Sequence, residues 1–144
     1  ALLGKSDLIK LDSAYTSTHG GNPVACSASL GNLISLIDIK NSGKIKFNSE
    51  LLKKILKGWL KKYPTRIKRI EGNGMIWGVF IYKLNSKELD NYLVNIICEK
   101  AMEKGVFSIC TGRGTLKIGP PLSIKSEALI EGLNVYEECF RELF

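Results

Sequence analysis

A seven-residue loop that leads directly into a helix constrains this chain more than any other stretch. Residues 17–23 read Ser-Thr-His-Gly-Gly-Asn-Pro. The two glycines permit backbone conformations and close approaches that other residues do not. Asn22 suits the N-cap of a helix, and Pro23 suits its first position, where a missing N–H costs nothing. Apolar residues then recur at helical spacing, so the sequence predicts a helix over residues 23–39.

The same loop has the chemistry of an anion site. The hydroxyls of Ser17 and Thr18 precede the glycines. A helix start also offers free N–H groups and the positive end of the helix dipole, which together suit a phosphate. The alternative is a capped helix start with nothing bound, and spacing alone favours that alternative.

Composition limits the classes of protein to consider. The 144 residues, 44% hydrophobic and 24% charged, match one globular domain. No apolar run approaches the length of a transmembrane helix, so no membrane partner is predicted. The four cysteines are scattered singly and there is one histidine, so no metal site is predicted. Free thiols of this kind favour a reducing cytoplasm.

The net charge of +7 is concentrated over residues 40–69, where Glu50 is the single acid. A basic segment of this kind raises the alternative of a stand-alone nucleic-acid-binding module, whose affinity would depend strongly on salt. Within the segment, however, Leu52, Leu56 and Trp59 belong to an apolar stripe, and lysines occupy the other side. This pattern is typical of a solvated amphipathic helix, so no nucleic-acid partner is predicted.

The predicted order of elements indicates an α+β fold. After the helix at 23–39 and the basic helix, two strands are joined at residues 72–74. A further helix begins with a capping-box-like start at 85–88 and ends at Gly105. Strands at 106–110 and 115–118 and a last helix, capped by Ser126 or a neighbour, complete the chain. We expect a small antiparallel sheet packed by helices on one side.

Three blocks of sequence resemble a known family. Residues 17–25 resemble the S-T-(F/Y/H)-G-G-N-P-x-(A/G) block of class III aminotransferases, which are pyridoxal-phosphate enzymes of fold type I. Residues 116–124, which read LKIGPPLSI, resemble that family's (I/V)-R-(I/L)-x-P-P-L-x-I block. Between them, residues 71–78 are similar to its G-x-G-(L/M)-x-x-G strand entry. Separate blocks in the family's order are far more specific than one block alone.

The resemblance implies the C-terminal portion of such an enzyme. Residues 1–22 would be a remnant of the large cofactor-binding domain with its phosphate-contacting loop, and residues 23–144 the C-terminal small domain. The implied cofactor is pyridoxal 5'-phosphate, the implied substrates are an amino donor and a carbonyl acceptor, and the implied assembly is a homodimer. Residues 1–8 resemble the segment that follows the family's Schiff-base lysine. We therefore expect that lysine upstream of Ala1, no catalytic residue within the chain, and no activity for the chain alone.

The resemblance also implies individual roles. Thr18 would reach across the dimer interface to the cofactor phosphate of the other subunit, with Ser17 as a second contact. Lys117 occupies the position of an arginine that grips the substrate carboxylate in many members. Lysine lacks the bidentate fork of arginine, so either the carboxylate is held in another way or Lys117 is an outward strand residue. Arg113, in a nearby glycine-flanked turn, is a second substrate-binding candidate.

Overall fold

Helix α1 (Pro23–Asn41) begins as the sequence predicts. The computed structural model describes residues 19–144, and the chain divides into two compact units, Ala1–Ile37 and Asp38–Phe144. At the start of α1, Asn22 Oδ1 accepts a hydrogen bond of 2.9 Å from the Val24 N–H. This N–H is in the first turn and has no acceptor within the helix, so the cap supplies its partner. None of the residues of α1 is buried. Among the described helices, none is long and apolar enough to cross a membrane.

The second unit alternates helices and strands. Its helices are α2 (Lys44–Lys62), α3 (Asn91–Glu103) and α4 (Ser126–Leu143), and its strands are β1 (Ile67–Asn73), β2 (Ile76–Ile81), β3 (Ile109–Cys110) and β4 (Thr115–Ile118). The strands form one antiparallel sheet in the order β1-β2-β4-β3. The predicted α+β fold with a small antiparallel sheet is therefore confirmed.

Helices cover one face of this sheet. Alternate residues of β2, namely Trp77, Val79 and Ile81, are buried, as period-two geometry requires for a half-covered strand. The apolar stripe of α2 is buried as well, and the Trp59 ring packs edge-on against Phe140 of α4, with centroids 5.0 Å apart. The lysines of α2 face outward, so this helix is the amphipathic surface helix that its pattern predicts.

The predicted start of α3 at residues 85–88 is wrong. The helix begins at Asn91, and the Asp90 side chain caps it by accepting a hydrogen bond from the Leu93 N–H. The preceding residues are held by backbone pairing instead, because Leu89 bridges Tyr82 and the Asp90 N–H donates to the Ile81 carbonyl. Pairing with β2 therefore outweighed the local capping signal.

The structure makes two smaller expectations more specific. The neighbour of Ser126, Lys125, occupies the N-cap position of α4 without a side-chain cap hydrogen bond, and the Ser126 hydroxyl donates to Asn48 Oδ1 at 2.7 Å. Asn48 is buried, and its Nδ2 donates to the Ile124 carbonyl at 2.9 Å. This amide thus ties α2 to the start of α4. The strand expected at 106–110 is shortened to Ile109–Cys110.

Glycine 114 is required by a close approach between segments. Its φ is +66°, and a Cβ built there would lie 2.5 Å from Leu89 Cβ. Its carbonyl accepts a hydrogen bond from the Ile81 N–H at 3.0 Å. Gly112 in the same turn has a similar φ of +70° but nothing within 4 Å of its would-be Cβ. Both glycines therefore need the positive φ, but only Gly114 also lacks the space for a side chain.

We predict that Gly114→Ala destabilises the fold more than Gly112→Ala. Both variants carry the backbone cost of positive φ, about 1 kcal/mol, and Gly114→Ala adds overpacking of roughly 1–3 kcal/mol. Urea unfolding of the two variants beside the parent measures the difference. Equal losses of unfolding free energy for both variants would contradict a tight contact at Leu89.

Helices α3 and α4 are joined by ion pairs at their outer edge. The Glu142 carboxylate accepts hydrogen bonds from Lys100 Nζ at 2.8 Å and Lys104 Nζ at 2.9 Å. These two ammonium groups lower the pKa of Glu142 to about 2. Because the pKa is depressed in the folded state, the stabilisation is present above the ordinary carboxyl pKa and is lost as the pH falls toward 2.

We predict that stability falls as the pH drops from about 5 to about 2, and that Glu142→Gln flattens this dependence. The glutamine keeps the shape but cannot change its charge over this range. Urea midpoints measured at several pH values test the prediction. Glu131→Gln, on the exposed side of α4, is the matched control and should leave the slope of the parent unchanged.

Candidate functional site

Lys117 lies on the open face of the sheet, opposite to the helices. It is the exposed member of β4, whose other three residues are buried. The strand register places Gly78 of β2 on one side of it and Ile109 of β3 on the other. Since Gly78 has no side chain, one flank of Lys117 is free of a neighbouring side chain. A Cβ built at Gly119 would lie 3.9 Å from Lys117 Cε, so the lysine stem passes close to that glycine.

A second cation of this face, Arg69, is already engaged. The Arg69 guanidinium lies 3.7 Å from the centroid of the Phe80 ring, and its Nε is 3.7 Å from Glu71 Oε1. Lys117, by contrast, has no carboxylate within ion-pair distance in the part of the chain that the structure describes. Among the two cations, Lys117 is therefore the one available to an anionic ligand.

A largely apolar cavity of about 500 Å³ adjoins Lys117. It opens where the segments that extend from β3 and β4 separate, and Phe107, Ile109, Pro120 and Leu133 contribute to its lining. The separation has a local cause, because the two prolines that follow β4 cannot donate to a strand ladder. An apolar cavity with a cation at its rim suits a molecule that has an acidic end and a hydrocarbon part.

A buried hydroxyl pair lies beneath this cavity. Ser108 Oγ and Tyr136 OH are 2.7 Å apart, and both residues are buried. Burial raises the pKa of Tyr136 above its ordinary value, so the phenol stays protonated. The pair satisfies two polar groups that would otherwise lack partners, and it positions the short connection before β3.

Arg113 and Lys117 lie in different elements of the fold. Arg113 is exposed in the turn that precedes β4, whereas Lys117 is inside the strand.

Ser17 and Thr18 lie outside the described residues, so their predicted phosphate contacts stay predictions. The described end of their loop is exposed. Gly21 has a φ of +74°, and the Asn22 N–H donates to the His19 carbonyl at 3.4 Å. The first turn of α1 contains no acidic residue.

The described residues indicate no metal site, and two of their four cysteines are buried. They contain no group of three or more His, Cys, Asp or Glu side chains that could hold a metal ion. Cys98 and Cys139 are buried, and burial raises the pKa of Cys98 to about 12. A thiol with such a pKa is almost entirely protonated near neutral pH, so it is a poor nucleophile.

The sequence alone did not identify Gly78 as part of the site. The residue ends the block at 71–78, but its position opposite Lys117 depends on pairing between strands that are not consecutive. One signal was available, because a glycine inside a strand often marks the close approach of another group. A Cβ built at Gly78 would lie 3.1 Å from Thr115 Cγ2, so even alanine would be tight there.

Comparisons with known proteins agree on the family to which this chain is similar. The family model for "Aminotransferase class-III" matches residues 4–140. Mitochondrial acetylornithine aminotransferase of Saccharomyces cerevisiae is 30% identical over 130 residues, which are 90% of this chain and 29% of that protein. Mitochondrial ornithine aminotransferase of Arabidopsis thaliana is 30% identical over 118 residues, which are 82% of this chain and 24% of that protein.

A solved structure agrees with these relatives. Acetylornithine aminotransferase from Elizabethkingia anophelis superposes with a TM-score of 0.74 at 26% identity, over 94% of this chain and 32% of that chain. The chain thus spans less than a third of the length of each of these three proteins. None of these matches supports a nucleic-acid-binding module. The match over residues 4–140, together with the agreement in fold, shows that the chain belongs to the class III aminotransferase family.

Proposed function

We propose that the protein containing this chain is a pyridoxal-phosphate-dependent aminotransferase, which transfers an amino group from an amino donor to a carbonyl acceptor. The family match over residues 4–140 is the observation that carries the proposal. In this proposal residues 23–144 form the C-terminal small domain, and residues 1–22 are the end of the large cofactor-binding domain. The chain supplies substrate and phosphate contacts, and the rest of the protein supplies the reacting lysine.

Lys117 binds a carboxylate of the substrate. The residue lies on the open sheet face opposite Gly78 in the strand register, and its ammonium forms no ion pair among residues 19–144. Acetylornithine and ornithine, the substrates in the names of two relatives, both carry a carboxylate. A lysine binds such a group as a mobile point charge, so it tolerates more orientations of the carboxylate than an arginine fork does. The adjoining apolar cavity accommodates hydrocarbon parts of the substrate and keeps water from them.

The start of α1 fits the phosphate of the cofactor. Its N-terminal turn is exposed and free of acidic residues, and the positive end of the helix dipole favours an anion there. Ser17 and Thr18 would hold the phosphate through their hydroxyls. When bound, pyridoxal phosphate supplies the electron sink that amino-group transfer requires. The role of this chain is to orient the cofactor and the substrate.

The assembly in this proposal is a homodimer with a shared cofactor site. Thr18 of one subunit donates its hydroxyl to the phosphate that the other subunit holds. A ligand that binds only the assembled state stabilises that state by mass action, so dimerisation and cofactor retention depend on each other.

We predict that Lys117→Ala lowers kcat/KM about ten- to a hundredfold in the full-length protein. This range corresponds to the loss of a charge-assisted hydrogen bond of about 1.5–3 kcal/mol. Steady-state kinetics with an amino acid donor measures the effect, and circular dichroism checks the fold. Lys53→Ala, on the exposed side of α2, is the matched control. Kinetics of Lys117→Ala equal to those of the parent would exclude the carboxylate contact.

We further predict that Thr18→Val weakens pyridoxal-phosphate retention by roughly 1–3 kcal/mol, because valine keeps the shape but removes the donor. Cofactor absorbance after dialysis and sedimentation at matched concentrations are the measurements. Ser17→Ala, at the second contact, should have a smaller effect. A monomeric, fully active protein, or a Thr18→Val variant that retains cofactor as the parent does, would contradict the shared site.

A further inference from the structure

Strand β1 is a long strand at the edge of the sheet that the described strands form. It has seven residues and pairs with β2 alone among the described strands. Two residues, Gly74 and Met75, separate the paired Asn73 and Ile76. In an antiparallel pair, hydrogen-bonded and non-hydrogen-bonded residue pairs alternate, and a two-residue hairpin starts this alternation with a hydrogen-bonded pair. The backbone N–H and C=O groups of Ile70 and Gly72 therefore point away from β2. The edge therefore presents hydrogen-bonding groups to any strand that comes beside it.

The charges of this edge are complementary to themselves. Arg69 and Glu71 are two residues apart, so both side chains lie on the open face, where they are 49% and 63% exposed. Their midpoint is Ile70. If a second β1 runs antiparallel beside the first with Ile70 opposite Ile70, each Arg69 faces the Glu71 of the other strand. Opposite charges in this position stabilise a pair of strands, and like charges destabilise it.

Only one register has this property. The pairing must join outward-facing backbones, so the strands can shift only in steps that preserve that alternation. The adjacent allowed register on one side places Arg69 opposite Arg69, and the one on the other side places Glu71 opposite Glu71. The charge pattern therefore selects the symmetrical register, in which Ile70 lies on the two-fold axis.

The neighbouring residues leave room for this contact. Gly72 has no side chain, and a Cβ there would collide with the Ile76 carbonyl oxygen, so the position excludes larger residues. Lys68, which could block an edge, is held by its own chain: its Nζ donates to the Ser86 carbonyl at 2.8 Å and lies 5.5 Å from the Tyr82 ring centroid. Proteins usually protect an edge with charges that repel a second strand. Here Arg69 and Glu71, which pair with each other within the strand, also match the Glu71 and Arg69 of a second strand, so the charges of this edge favour a second strand instead of repelling it.

We propose that β1 is an interface with a second copy of this chain, in which two β1 strands pair antiparallel about a two-fold axis through Ile70. The two four-stranded sheets then continue into each other. The contact is isologous, because the Arg69 of each copy faces the Glu71 of the other copy. It is separate from the dimer proposed above for the cofactor site, since it uses neither Thr18 nor Lys117.

Charge reversal tests the contact in the full-length protein. Arg69→Glu and Glu71→Arg should each halve the mass of the assembly in sedimentation experiments at matched concentration and low salt. The double variant, which exchanges the two charges, should restore the mass of the parent. Lys53→Glu, a reversal on the exposed side of α2, is the control and should leave the mass unchanged. Circular dichroism confirms that each variant is folded.

A cross-link gives an independent measurement. Hydrogen-bonded residues opposite each other in an antiparallel pair have Cα atoms about 5.5 Å apart, within the range that a disulfide spans. In a Cys26→Ser background, Ile70→Cys should therefore form a covalent dimer when diamide is added, whereas Lys53→Cys should not. The proposal is overturned if the single reversals keep the mass of the parent, if the folded double variant does not recover it, or if Ile70→Cys stays monomeric on a denaturing gel.

Discussion

The pairing of β2 with β4 is the constraint on which the rest of the second unit depends. These strands are separated along the chain by α3, yet they lie side by side in the centre of the sheet. Their inward residues, among them Val79 and Leu116, are fully buried beneath the helices. Burial of these side chains fixes the register, because a slip by one residue would move every buried side chain of a strand to the open face.

The same register creates the candidate site. When Val79 and Leu116 point inward, Gly78 and Lys117 must point outward and face each other. The position of the cation is therefore a consequence of packing on the other side of the sheet. Core substitutions that disturb the register would therefore displace Lys117 even though they do not contact it. This coupling explains why a site of few residues needs the whole small sheet for its geometry.

The open face differs from the helix-covered face in its electrostatics as well as in its exposure. Arg69 is stacked on Phe80 and paired with Glu71, while Lys117 is without such a partner among residues 19–144. A free cation costs little on an open surface, and its interaction with an anion strengthens when a ligand displaces water. The two cations thus serve different purposes: Arg69 belongs to the edge of the sheet, and Lys117 to its interior.

Much of the fold could be predicted from local patterns. The start of α1 followed from Asn22 and Pro23, and the stripe of α2 from the spacing of its apolar residues. The start of α3 could not be predicted in this way. The local capping signal at 85–88 competed with backbone pairing of Leu89 to Tyr82, a contact that depends on where β2 lies. The role of the Ser126 hydroxyl was hidden for the same reason, since its partner Asn48 is distant in sequence.

The sequence by itself determined the family, the α+β class and the candidate residue Lys117, because motifs and periodicity are local properties of the chain. Only the tertiary structure decided which neighbours this lysine has. It placed Gly78 and Ile109 beside Lys117, and it placed Arg113 in the turn that precedes β4. The physical reason is that strand register is set by burial summed over the whole sheet, and no short segment contains that information.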